Sequence, residues 1–504
     1  MATNPNSNAA ASAGGSAPIA PTTGFFGHPR GLATLFFTEF WERFSYYGMR
    51  ALLILFMTAA VAQGGLGFDA ARAGAIYGLY TAAVYLLALP GGWLADQLLG
   101  QRRAVFLGGC IIALGHFSLA LHGLTFFYLG LFLIVLGTGL LKPNISTLVG
   151  ELYPEGGARR DAGFSIFYMG INLGAFVAPL VCGYLGQKVN WHWGFAAAGL
   201  GMVAGLVQYS VGGKFLGQIG LHPNAGDDPG LRRRTLTILG GSAAAVAVLV
   251  AGSIAAGIPI QTIAGATGVI IVSLAFVYLF FQLFAGGLDA TEKKRMVVIF
   301  VLFIFSALFW SGFEQAGSSL SLFAQRLTDL NVFGWAMPAS FLQSVNPILI
   351  IALAPVFAWL WVALSKRSIE PSAPAKFSLG LILLGLGFGV MVWASVLTLG
   401  QTKQVGPHWL ILTYLFHTCG ELCLSPVGLS TVTKLAPHRK VGQMMGIWFM
   451  SISLGNLMAG LVAGKFESLP LPQLFGAVLA TTAGAGLILA LLIKPIRRLM
   501  GDVH

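Results

Sequence analysis

Charge is what this chain has least of. Only 9% of its 504 residues are Asp, Glu, Lys or Arg and 56% are apolar, where an ordinary soluble domain carries about 25% charged residues. That balance excludes a soluble globular domain and implies an integral membrane protein. Strict apolar–polar alternation is also missing, which argues against a β-barrel. The apolar runs are ~20 residues or longer, so the spans are helices. Cysteine is scarce: Cys110, Cys182, Cys419 and Cys423 all lie in apolar segments. Cys419 and Cys423 share a helix face but lack further ligands at metal-site spacing, so no metal site is expected. Neither a paired nucleophile and base nor a His-rich motif is present, so the chain does not read as an enzyme. No ring of repeated charges or filter-like loop suggests a channel. The first thirty residues are rich in Ala, Ser, Gly, Pro and Asn, with no basic stretch ahead of an apolar one. They read as a flexible cytoplasmic tail and not as a signal peptide.

The net charge of +12 would suggest nucleic acid in a soluble protein, but here it reports topology. Outside the spans, 21 Lys and Arg lie on one alternating set of loops and ends, including Arg102, Arg103, Arg232, Arg233, Arg234, Lys366, Arg439 and Arg498. The intervening loops hold five: Arg72, Lys188, Arg326, Lys403 and Lys465. The positive-inside rule then places both termini in the cytoplasm of a multi-pass inner (plasma) membrane protein. Apolar runs predict spans at 31–62, 71–98, 103–122, 126–149, 162–187 and 191–213, then 236–256 and 262–285, then 296–327, 339–365, 377–399, 407–436, 440–464 and 470–493. The expected fold is therefore all-α and polytopic, with 14 transmembrane helices. It divides into a tail (1–30), a six-helix bundle (31–213), a linker with a two-helix hairpin (214–295), a second six-helix bundle (296–495) and a C-terminal tail (496–504). Between Leu236 and Leu288 the hairpin has no Lys, Arg or His and no carboxylate, so it reads as lipid-facing and outside any pathway. Two six-helix bundles with a cytoplasmic link resemble the major facilitator superfamily, whose halves rock about a midplane site.

The charges inside the spans are few and carry the functional argument. Glu39, Glu42, Arg43 and Arg50 lie in the first span, Lys142 in the fourth, Glu314 and Glu421 in the second bundle. At about 100° per residue, Glu39, Arg43, Tyr46, Tyr47 and Arg50 form one stripe, with Glu42 at its margin. Ionisable groups inside a membrane are functional-site candidates, and such a stripe faces protein or water. Four carboxylates against three cations nearly balance, as paired burial requires, and leave one carboxylate free to hold a proton. Lys142 stands beside Pro143 among glycines, too deep in its helix to snorkel. Asn172 sits between glycines, where a helix–helix hydrogen bond and a ligand contact are both open readings. Glu421 precedes the helix-breaking Pro426. Asp96 with Arg102 and Arg103 can form a cytoplasmic charge cluster that latches one conformation. His116 and His417 read as structural.

Four motifs then make the chain recognisable. Glu39-x-x-Glu42-Arg43-Phe44-x-Tyr46-Tyr47-Gly48, the loop Gly91 to Arg103, Phe167-Tyr168-x-x-Ile171-Asn172-x-Gly174 and Gly420-Glu421-x-x-Leu424-Ser425-Pro426 together resemble the proton-dependent oligopeptide transporters, of the bacterial type with an extra helix pair. The resemblance implies symport of di- and tripeptides, with peptidomimetic drugs as candidate ligands, protons as the coupling ion and no other cofactor. It implies a proton-coupling cluster of Glu39, Glu42, Arg43 and Lys142, with Glu314 used for proton binding or gating. It assigns Arg43, Arg50 and Lys142 to the peptide carboxylate, Glu421 to the ammonium, and peptide-contacting positions to Tyr47, Tyr85, Asn172, Asn346 and Trp448. One departure is that Gly78 stands where animal members carry a histidine, so coupling must rest on Glu314 or the Glu39/Glu42 pair.

The residues support that expectation physically. A zwitterion of fixed backbone length needs cations on one half and an anion on the other, while variable side chains need roomy, weakly specific pockets. The same fold could carry nitrate or another organic anion, but an anion carrier has no use for Glu421 facing its ligand. No nucleic-acid or obligate protein partner is indicated.

Overall fold

The computed structural model describes residues 23–223, 229–399 and 404–501. Among them, fourteen long helices carry the fold. The first bundle comprises α1 (Arg30–Thr58), α2 (Ala70–Leu99), α3 (Gln101–Leu119), α4 (Leu124–Glu151), α5 (Gly157–Val189) and α6 (Trp191–Leu216). The hairpin is α7 (Pro229–Ala255) and α8 (Ile260–Ala285). The second bundle comprises α9 (Ala290–Leu327), α10 (Ala339–Lys366), α11 (Ala373–Thr398), α12 (His408–Leu435), α13 (Val441–Ala463) and α14 (Leu471–Met500). Thirteen of these are long and apolar enough to cross a bilayer. The exception is α1, whose charged stripe lowers its hydropathy; at 29 residues and 1.5 Å per residue it is still about 43 Å long. The protein is membrane-embedded, with every span helical because hydrocarbon offers backbone groups no other partner.

The structure adjusts several boundaries. Of the expected N-terminal tail, residues 1–22 lie outside the described residues, whereas Thr23–Phe25 (β1) and His28–Pro29 (β2) pair as a small antiparallel hairpin against α1. The charged stretch from Asp289 to Arg295 is not a link but the first turns of α9. Asp289 accepts from the Glu292 N–H at 2.7 Å and Glu292 accepts from the Asp289 N–H at 3.1 Å, a reciprocal cap that starts the helix early. Arg232–Arg234 likewise belong to α7, and α14 runs through Pro495 to Met500. Residues 502–504 and Lys403 lie outside the described residues.

Glycines set the helix spacing. Gly108 of α3 and Gly137 of α4 face each other so closely that a Cβ on Gly108 would stand 2.6 Å from the Gly137 carbonyl. Between the halves, α2 packs on α13 and α5 on the start of α10. Hydrogen bonds joining the halves gather at the face poor in Lys and Arg. There Gln187 Nε2 donates to Gln325 Oε1 at 2.8 Å, the Ser340 N–H to Gln187 Oε1 at 3.0 Å, and Ser344 Oγ to the Phe176 carbonyl at 2.8 Å. The hairpin departs from the purely lipid-facing reading. No residue in the apolar stretch of α7 is buried, but α8 lies against α2, α9 and α13 and buries Ala264, Ile271, Ala275 and Gln282.

Candidate functional site

The charged stripe of α1 faces the interior. Glu39, Glu42, Arg43 and Arg50 are all buried, Glu42 completely. Close approach of α5 makes this possible, since a Cβ on Gly174 would stand 3.1 Å from that of Arg43. Arg43 Nη2 donates to Glu42 Oε1 at 2.6 Å, its Nε to the other Glu42 oxygen, and the same Nε lies 3.2 Å from Glu39 Oε1. The second oxygen of Glu39 is buried with no hydrogen-bonding partner among the described residues. One guanidinium thus serves two carboxylates, and the surplus is local to this triad.

Arg50, two turns further along α1, joins the halves. Its Nη2 pairs with Glu314 and its Nε donates to the Tyr77 hydroxyl at 2.7 Å. Glu314 is placed by a break in α9: the helix tightens to a 3₁₀ turn over Glu314–Gly317 and resumes at Ser319. A Cβ on Gly317 would overlap the Tyr77 hydroxyl and stand 2.9 Å from Arg50 Nε, so glycine there makes room for the bridge. The guanidiniums also face aromatic rings, Arg43 at 5.1 Å from Tyr46 and Arg50 at 5.6 Å from Tyr47. Lys142 is half-buried and makes no ion pair among the described residues; its ammonium lies 4.1 Å from the centre of the Tyr85 ring. A cation–π contact holds it in place.

On the second bundle, Asn346 of α10 donates to Thr418 Oγ1 at 3.0 Å and to Glu421 Oε2 at 3.2 Å, both on α12. The amide orients the carboxylate and leaves its other oxygen for a donor. Remaining expected residues are not drawn into these constellations. Asn172 donates to the Tyr168 carbonyl of its own helix at 3.0 Å. Trp448 is buried edge-on to Phe377, 6.2 Å between ring centres, over Gly428. Asp96 accepts from Gln101 Nε2 at 3.1 Å, and Arg102 donates to the carbonyls of Gly213 at 3.0 Å and Gly217 at 2.8 Å at the end of α6; Arg103 is exposed. Tyr77 and Thr418 are functional neighbours that the sequence reading missed. Thr418 lies three residues before Glu421 and so on its helix face; nothing local marks Tyr77 as a partner of Arg50.

The sequence profile of the POT family matches residues 102–475. The chain belongs to that family. It is 46% identical over 496 residues to a peptide transporter, YePEPT, of Yersinia enterocolitica subsp. palearctica, covering 95% of this chain and 97% of that one. It is 39% identical over 491 residues to a di-/tripeptide transporter of Lactococcus lactis subsp. cremoris, covering 95% of this chain and 98% of the relative. Among solved structures it is similar to a point mutant of a peptide transporter POT in complex with alafosfalin, with a TM-score of 0.88 and 43% identity over 96% of this chain and 98% of that one. The POT membership and the two-bundle architecture with an inserted helix pair agree with what the four motifs implied.

Proposed function

We propose that this protein is a proton-coupled symporter that imports di- and tripeptides by alternating access. Its basic loops face the cytoplasm across the inner membrane, and the closed face, poor in Lys and Arg, is external. The observation that carries the reading is the buried Arg50–Glu314 pair, which ties the two halves together with groups that each have a second use. When Glu314 takes a proton, Arg50 loses its internal partner and accepts the peptide carboxylate together with Lys142, which has no paired carboxylate among the described residues. Glu421, oriented by Asn346, takes the ammonium from the opposite half. Peptide thereby replaces the internal bridge, and release inside follows deprotonation. Glu39, with an unpartnered oxygen beside Glu42 and Arg43, is a second proton holder. The relatives' names as peptide and di-/tripeptide transporters, and the alafosfalin complex of a similar protein, support the substrate class.

The test is competition of labelled dialanine uptake in proteoliposomes under an imposed pH gradient. Unlabelled dipeptide and tripeptide are expected to compete, while free amino acid, N-acetylated dialanine and amidated dialanine compete weakly. Equal competition by the blocked peptides overturns the two-pole site; competition by nitrate but by no peptide favours an anion carrier.

A further inference from the structure

Away from the buried charges, one carboxylate in a turn on the face read as external spans the seam between the halves. Glu467, between α13 and α14, accepts from the Ala70 N–H at 3.1 Å with one oxygen and from Arg326 Nη1 at 2.7 Å with the other. Ala70 is the first residue of α2, in the opposite half. Its N–H is one of the donors that a helix start leaves without an intrahelical partner. Asp69, the residue before it, caps the Arg72 N–H at 2.7 Å, so the helix has its own cap and Glu467 adds a second anion at its positive end. The partners differ in what they survive: Arg326 closes α9 and rides with Glu467 on the second bundle, whereas Ala70 moves with the first. We propose that Glu467 is a latch on the external mouth, binding the N-terminus of α2 only when that mouth is closed and so positioning the halves for the inward-open part of the cycle. This rests on the reading of that face as external.

The latch keeps its charge throughout the ordinary carboxylate range and above it. Partial burial would raise the Glu467 carboxyl, but the Ala70 N–H and the Arg326 guanidinium outweigh it and hold the group below the ordinary carboxylate range. A depressed carboxylate contributes its stabilisation above the ordinary value and loses it only as pH falls through the depressed one. Neighbouring charges do not reverse this. Arg72 turns its guanidinium onto the Phe68 ring, 3.9 Å away, and donates to the Tyr128 hydroxyl at 3.3 Å; Asp69 spends an oxygen on the Arg72 N–H, and Lys465 is a cation, which can only favour the charged carboxylate. Glu467 is therefore a constant bias toward external closure, on which proton coupling acts separately.

The test uses a reporter thiol introduced by Ala71→Cys, at a position that stands against Gly464 at the closed seam, labelled from outside whole cells with a membrane-impermeant maleimide. The parent chain, with its four native cysteines, gives the background. Two variants remove the contact from opposite sides. Glu467→Ala deletes the acceptor; Ala70→Pro deletes the donor at a helix position that favours proline. Each is expected to raise the labelling rate and lower the KM for external peptide by about five-fold, the factor that one net hydrogen bond of ordinary strength supplies. The double variant is expected to go no further, and the shape of the uptake-versus-pH curve is expected to stay as in the parent. A labelling rate equal to the parent's in either single variant, additive effects in the double, or a shifted pH profile overturns the latch. Labelling of the reporter only in inside-out vesicles overturns the orientation instead, and is distinguishable from the other outcomes by the side of access.

Discussion

Arg50 has two bonded partners, and they separate its roles. In the proposed cycle Glu314 is the charge whose neutralisation releases Arg50, while the Tyr77 hydroxyl accepts a hydrogen bond from the same guanidinium and fixes it in place. Glu314→Gln removes the titrating group and keeps the shape. It is expected to abolish accumulation of dialanine driven by a proton gradient while leaving peptide-for-peptide exchange across the same vesicles measurable. Tyr77→Phe leaves the ion pair and removes one net hydrogen bond, about 1 kcal/mol, so a roughly five-fold loss in kcat/KM with accumulation intact is expected. Loss of exchange in Glu314→Gln would mean that the carboxylate serves binding and not coupling. The ionisable residues of this site were legible because charge in an apolar run is conspicuous. Their pairing was not: Arg50 and Glu314 are 264 positions apart, and Arg102 donates to carbonyls at the end of α6, more than a hundred positions along the chain. Glu467 was invisible for the opposite reason, since a carboxylate in a polar turn is unremarkable until the fold sets a helix start beside it.

At the scale of elements, one part of the seam between the halves is the contact of α2 with α13, where glycines let backbone meet backbone. A Cβ on Gly78 would stand 2.9 Å from the Leu457 carbonyl and 3.2 Å from Gly460 Cα, and one on Gly460 would stand 2.6 Å from the Gly78 nitrogen. The missing histidine at position 78 thus has a structural consequence: glycine lets the two helices touch where a side chain would hold them apart. Gly78→Ala and Gly460→Ala should each cost the closed state about 1–3 kcal/mol through overpacking. The expected outcome is a well-folded protein whose uptake falls at least several-fold and in which the Ala71→Cys reporter labels faster from outside; unchanged uptake in both would show that this seam need not close. The period and length of the apolar runs revealed nearly every helix, because spans must be long and internally hydrogen-bonded. The start of α9 escaped because its cap is charged, and a charged stretch beside an apolar run reads as a link until the reciprocal Asp289–Glu292 bonds are seen.

Taken as a whole, the molecule is two bundles with an inserted helix pair whose members differ in kind. The apolar stretch of α7 meets almost nothing of the protein, whereas α8 lies along the seam where α2 and α13 meet and so touches both halves at once. Its C-terminal end is tied to the start of α13: Tyr278 donates to Gln443 Oε1 at 2.6 Å, and Lys440 donates to the Gly286 carbonyl at 2.7 Å and to Gln282. In the proposed cycle a helix in that position must slide or stay with one half as the halves rock, so its packing would enter the energetics of transport, while that of α7 would not. Ala275 is fully buried on α8 and Leu249 is exposed on α7. Ala275→Leu therefore forces α8 off the seam at a cost of about 1–3 kcal/mol and is expected to lower both the thermal midpoint in detergent and the rate of peptide exchange. Leu249→Ala removes a larger side chain from a lipid-exposed surface and is expected to change neither. If the two variants transport alike, α8 is packing without consequence for the cycle; if Leu249→Ala alone is impaired, the exposed helix serves a contact that the isolated chain does not contain.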